Sequence, residues 1–147
     1  MTALQVTLLV FAGIEALSVL ELYFMQDRCM FNGMALFSGW EISKEVPEVH
    51  GMVCYLINWV AGMKLIVVGL LVILVLMAPT QILLLVGASL FVTVASFFWR
   101  MFPLVSKFDA NGFIQPAGRA KTMGLMVAGL EVLLIGAVII EAVLYLS

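Results

Sequence analysis

The sequence predicts an all-α integral membrane protein: an antiparallel up-down four-helix bundle with two long loops on its basic side. Three observations predict it. Hydrophobic residues make up 65% of the 147 positions and charged residues only 11%, whereas soluble domains run about half apolar and about a quarter charged, so charge is too scarce to coat a water-soluble fold. Four apolar segments, at about 3–25, 51–77, 80–99 and 122–146, are each long enough at ~1.5 Å per residue to cross a hydrocarbon layer of ~30 Å. The basic residues, finally, are gathered into the first and third connections. Residues 1–147 read as one four-span domain.

The first segment, Ala3 to Met25, carries Glu15 near its middle and Glu21 near its end. No basic residue precedes it and no small-x-small cleavage motif follows it, so a retained helix is expected rather than a signal peptide. The loop from Gln26 to His50 is the most polar region, yet it also holds Met30, Phe31, Met34, Leu36, Phe37 and Trp40. Its first half is therefore expected along the membrane interface. Pro47 closes the loop.

The second segment, Gly51 to Met77, has Lys64 at its midpoint. Hydrocarbon offers a lysine neither counter-charge nor water, so a partner is required. Ala78-Pro79-Thr80 then predicts a tight helical hairpin, with Pro79 in the first turn of the next helix. The third segment, Thr80 to Trp99, has no charge, and its Ser89, Thr93 and Ser96 form a mildly polar stripe suited to helix contacts. Pro103, Asn111-Gly112 and Pro116 mark residues 100–121 as a loop. The fourth segment, Thr122 to Leu146, holds Glu131 and Glu141. Gly62 with Gly69, and Gly129 with Gly136, are seven apart, and each pair predicts a face of close helix approach. The first and fourth segments each carry two glutamates but share no residue order, so they do not form an internal repeat.

Arg28, Lys44, Arg100, Lys107, Arg119 and Lys121 all fall in loops 26–50 and 100–121. The positive-inside rule places both loops in the cytoplasm, matrix or stroma, and both termini opposite. Cys29 and Cys54 then lie toward the reducing side, where a disulfide is not expected. They form neither a CxxC pair nor a zinc spacing.

Measured from the basic side, Lys64, Glu15 and Glu131 lie roughly 20, 15 and 14 Å deep. They are expected to share one polar layer, with the excess negative charge implying a proton on one glutamate. Such a layer acts either as a register clamp or as an ion path. Asn58, about two turns into its segment, is expected to bond a neighbouring helix. Glu21 and Glu141 are expected to reach headgroup water. His50, the only histidine, is a candidate ligand for haem iron or a chlorophyll-type pigment, although the sequence requires no cofactor and lacks a CxxCH motif. Trp40, Trp59 and Trp99 read as belt residues. The methionines and phenylalanines, spread through the spans, read as lipid-facing and packing residues. No phosphate-binding glycine loop is present, and no serine or histidine has a catalytic partner at diagnostic spacing. Arg119 and Lys121 stand where anionic lipid would be attracted, although topology alone demands as much.

These features are read as a non-enzymatic accessory subunit of a larger respiratory or photosynthetic type of membrane complex. Other membrane subunits and lipids are its expected partners, nucleic acid is not, and a homo-oligomer is admitted. The alternative is a small proton- or cation-coupled transporter built on the Glu15, Lys64 and Glu131 layer. A third reading, an enzyme acting on lipids or quinones, would need Glu15 or Glu131 as its acid or base.

Overall fold

The computed structural model describes residues 1–31 and 33–147 as five α-helices and a short 3₁₀ turn. The helices are α1 (Ala3–Phe24), α2 (Ser38–Lys44), α3 (Pro47–Met77), α4 (Thr80–Ala110) and α5 (Arg119–Leu146). All but α2 are long and apolar enough to cross a membrane, so the chain is an all-α multi-pass membrane bundle.

Local chemistry sets most helix ends. Thr2 and Gln5 form a capping box at the start of α1: Thr2 Oγ1 accepts the Gln5 N–H, and Gln5 Oε1 accepts the Thr2 N–H. The Gln5 amide then donates to the Val75 carbonyl at 3.2 Å, tying the start of α1 to the end of α3. Pro47 occupies the first turn of α3, where its missing N–H costs nothing. Helix α3 therefore begins four residues ahead of the expected Gly51, while Pro79 caps α4 rather than lying inside it.

The largest departure concerns α4. The expected span ends at Trp99, before Arg100 and Pro103, but the helix runs on to Ala110. Interior proline costs a helix a hydrogen bond and a steric clash. Packing beyond it offsets that cost, because Val105 is buried with Ile114 and Ala120 against Phe108 and Met123. At 31 residues each, α3 and α4 reach roughly 46 Å, longer than the ~30 Å layer requires. Asn111-Gly112 makes the expected turn, with Gly112 at φ +76°.

Helix α1 is the hub, lying between α3 and α5, and α4 packs on α5. Toward the chain ends Leu4, Leu8, Phe11 and Ala12 of α1 meet Leu71 and Val75 of α3, Leu83 of α4, and Leu134 and Ala137 of α5. Toward the loops Val19 and Leu22 meet Ile57, Ala61 and Trp40. Helices α3 and α4 share a tight connection but then splay, leaving an apolar cleft of about 430 Å³ between them. The expected hairpin is thus a hairpin of sequence and not of packing.

The glycines that bring helices together are not the seven-spaced pairs. A side chain at Gly69, Gly129 or Gly136 would meet nothing within 4 Å, and one at Gly62 only the Tyr23 hydroxyl, at 3.3 Å. A Cβ at Gly87 would stand 2.7 Å from Val138 Cγ2, and one at Gly124 only 2.5 Å from Phe102 Cε2. These two positions need glycine. The Ser89, Thr93 and Ser96 stripe also differs from expectation, since all three residues are exposed. Thr93 and Ser96 donate to carbonyls of their own helix, at Ser89 and Thr93.

The two long connections are joined. The Ser38 N–H donates to the Phe113 carbonyl at 2.9 Å and the Gln115 N–H to the Leu36 carbonyl at 3.0 Å, making a Phe37–Ile114 bridge. Ile114 is 1% exposed. Much of loop 26–50 therefore folds over the helix ends, and Met30 and Phe31 remain exposed. Trp40, expected in a belt, is 3% exposed instead.

Candidate functional site

Two polar constellations stand out in this apolar chain. The first lies at mid-span. Lys64 Nζ meets Glu15 Oε2 at 2.8 Å and donates to Ser18 Oγ at 3.0 Å. The spacing of Glu15 and Ser18, one turn apart on α1, lets a single ammonium on α3 reach both. Lys64 and Glu15 keep 34% and 24% of their side-chain exposure. They do so because they line a sideways opening of about 350 Å³ with Phe11, Trp59, Met63 and Thr93, continuous with the α3–α4 cleft through Val67, Leu90 and Thr93.

Glu131 does not join this pair. It is 7% exposed, and neither carboxylate oxygen has a hydrogen-bond partner. It stands on α5, one turn from Leu134, which joins the core cluster of α1 nearer the chain ends. Glu141 on the same helix is 6% exposed with Oε2 also unpartnered. Glu21 is buried too, and its Oε2 accepts the Phe31 N–H at 2.8 Å. Neither Glu21 nor Glu141 therefore sits at an open interface as the sequence suggested. Asn58 bonds its own helix, its amide donating to the Cys54 carbonyl at 2.9 Å, rather than a neighbouring one.

The second constellation is on the loop side, around a pocket of about 340 Å³ lined in part by Tyr23, Asp27, Trp40, Lys44, His50 and Asn58. Lys44 Nζ donates to Asp27 Oδ1 at 2.7 Å and to Glu41 Oε1 at 2.8 Å, and lies 5.1 Å from the centre of the Trp40 ring. The indole N–H of Trp40 donates to the same Asp27 oxygen at 2.8 Å. Those hydrogen bonds, from Lys44 first and Trp40 second, hold the Asp27 carboxyl below its ordinary pKa. Reciprocally, Asp27 and Glu41 raise Lys44.

His50 is held on both ring nitrogens. Ser43 Oγ lies 2.9 Å from Nδ1, and Cys54 Sγ lies 3.6 Å from Nε2. The Ser43 hydroxyl hydrogen is committed to the Trp40 carbonyl at 2.7 Å, so Oγ accepts from Nδ1–H and the Nε2 lone pair faces the Cys54 thiol. A haem or pigment metal would have to displace that thiol to reach His50. Cys54 is the residue sequence reading missed. Its i+4 spacing from His50 was a usable signal, but Ser43 reaches them only through the turn at Pro47. Among the described residues no group of three or more His, Cys, Asp or Glu side chains is placed to hold a metal.

Set beside known protein families, curated proteins and solved structures, the chain matches none.

Proposed function

We propose that this chain is a non-enzymatic accessory subunit of a larger membrane assembly, of which respiratory and photosynthetic complexes are the type. The observation that carries the reading is the direction of the mid-span ion pair. Intramembrane charges ordinarily face a bundle interior or a water-filled cavity. Here Glu15 and Lys64 line an opening between α3 and α4, which with the spans upright in a bilayer would face lipid rather than water. A transmembrane segment of another subunit, carrying hydroxyl or amide groups, would cover the pair, and Ser89 and Thr93 along the cleft would offer it further polar contact. In this reading the basic loops face the cytoplasm, matrix or stroma and the termini the other compartment. Gentle-detergent extraction followed by sizing and mass analysis tests it. Co-migration with a larger complex is expected, and a monomer active in transport on its own would overturn the reading.

A second reading, a small proton- or cation-coupled transporter, is favoured by one feature, the unpartnered carboxylate of Glu131 inside the bundle, with Glu141 Oε2 on the same helix also lacking a partner. An unpaired carboxylate is costly in hydrocarbon, so its retention marks it for exchange. In that case Glu131→Gln would abolish flux in reconstituted vesicles while leaving the Lys64–Glu15 pair intact.

A further inference from the structure

We infer that Cys54 is an acylation site, taking a fatty acyl group from a long-chain acyl thioester with His50 as its base. The inference starts from three side chains and a pocket. Ser43 fixes the imidazole tautomer, so that Nε2 presents its lone pair to the Cys54 sulfur at 3.6 Å, beside the thiol's other acceptor, Gln26 Oε1 at 3.7 Å. A thiol is a weak nucleophile until its proton is removed, and an adjacent base held by a third group is the arrangement that activates it. Trp40, whose ring centre lies 4.9 Å from that of His50, keeps the imidazole from swinging away. The third requirement is a donor for the carbonyl oxygen that gains negative charge. Asn58, one turn beyond Cys54, lines the loop-side pocket together with His50 and Trp40. Its amide spends one N–H on the Cys54 carbonyl and has a second to offer.

Position selects the substrate class. Cys54 lies seven residues into α3, roughly 10 Å from its start, and packs against the cluster of Val19, Leu22 and Ile57. A thiol at that depth, whose base His50 lines a pocket with the loop residues Asp27 and Lys44, meets a donor whose chain is dissolved in the bilayer and whose carrier remains in water. Juxtamembrane cysteines of this kind are the usual acceptors of acyl chains. The exchange balances without an oxidant or reductant. His50 Nε2 takes the Cys54 proton, the thiolate adds to the thioester carbonyl carbon, and the donor's carbon–sulfur bond breaks. The carrier thiolate leaves with the proton that His50 returns. One thioester and one thiol become another thioester and another thiol.

Cys29 is the built-in comparison. It is exposed, but the chain has a single histidine, and that histidine is committed to Cys54. The test incubates the purified full chain in neutral phospholipid vesicles with a palmitoyl thioester and maps hydroxylamine-sensitive mass gain by peptide analysis. Cys54 is expected to carry the label at least about tenfold faster than Cys29. His50→Gln, which can still bond Ser43 but cannot shuttle the proton, should slow Cys54 by about 100-fold, the lower end of general-base contributions. Ser43→Ala should slow it and Ser43→Thr restore it, a pattern that a merely structural role would not produce. Label on Cys29 at an equal or greater rate, no label on either cysteine, or an unchanged rate in His50→Gln would overturn the inference. The first two readings use the unaltered chain, so they stand even where a variant fails to fold.

Discussion

Lys64 closes on Glu15 at 2.8 Å, and Glu131, on α5, keeps both carboxylate oxygens without a partner. One intramembrane lysine with two candidate glutamates is thus resolved into a neutral pair facing the α3–α4 cleft and a lone acid on the α5 side. The pair neutralises itself, so its worth depends on both members being present. Removing one partner of a fully buried pair costs about 3–5 kcal/mol, and replacing both is often near neutral. Partial exposure in the cleft lowers the single-mutant figure here. We expect Lys64→Met or Glu15→Gln alone to destabilise by about 2 kcal/mol, and the double variant to recover more than half of that. A double-mutant cycle of thermal unfolding in mild detergent checks it, and simple additivity of the two losses would rule out the pairing.

The helices themselves were legible because hydrocarbon demands long apolar runs, and the segments Ala3–Met25 and Thr80–Trp99 could be nothing else. Their ends were less so. Pro103 reads as a stop signal, and it takes the burial of Val105 against Ile114, which comes from across a turn, to carry α4 past it. Spacing shows that Gly129 and Gly136 share a face, but not that the face meets no neighbouring side chain. Charge reveals that Lys64 needs a partner, while helix order decides that Glu15 is the one. The loop-side cluster was the least legible, since Asp27, Trp40, Ser43 and His50 converge from α1's exit, α2 and α3 only after the loop folds back.

Gly87 and Gly124 should be the least replaceable glycines of the spans. Each added methyl would press on a stiff neighbour, the β-branched Val138 or the Phe102 ring, and overpacking of this kind costs about 1–3 kcal/mol. Gly87→Ala and Gly124→Ala are therefore expected to lower stability by that amount. Gly129→Ala, with open space around it, should be neutral or raise stability by up to about 1 kcal/mol through helix propensity. Thermal shifts of the three variants in one detergent check the order, and an equal response at all three would contradict the packing described.

Asp109 closes the other loop-side junction. Its Oδ1 accepts the Gly118 N–H and its Oδ2 the Ala120 N–H, both at 2.9 Å. The end of α4 thereby caps the start of α5 and places a negative charge at a helix N-terminus. Asp109→Ala should cost about 1–2 kcal/mol. Hydrogen exchange should rise first at residues 118–122, where the released N–H groups lie, and undisturbed protection there would remove the capping role.

The Asp27–Lys44 contact sets a pH window for the loop-side pocket. The folded Asp27 carboxyl is held below its ordinary value of 3.8, first by Lys44 and then by Trp40, so its contribution is present above that value and is lost as pH falls through the lower folded pKa. Lys44 is raised above its ordinary 10.5 by Asp27 and Glu41. Its contribution is full below 10.5 and disappears as pH climbs through the higher folded value. The cluster should therefore hold between these limits and loosen only beyond them. Because the pair is exposed, salt should weaken it. Trp40 reports on it directly, since its N–H bonds Asp27. In a chain carrying Trp59→Phe, Trp99→Phe and His50→Gln, which removes the titratable ring 4.9 Å from Trp40, Trp40 fluorescence should stay constant from pH 5 to pH 9 and shift below about pH 3.8. Asp27→Asn should remove the acid transition and redden the emission at neutral pH. A midpoint above the ordinary carboxylate value would show that Asp27 is not held by Lys44 in the folded protein.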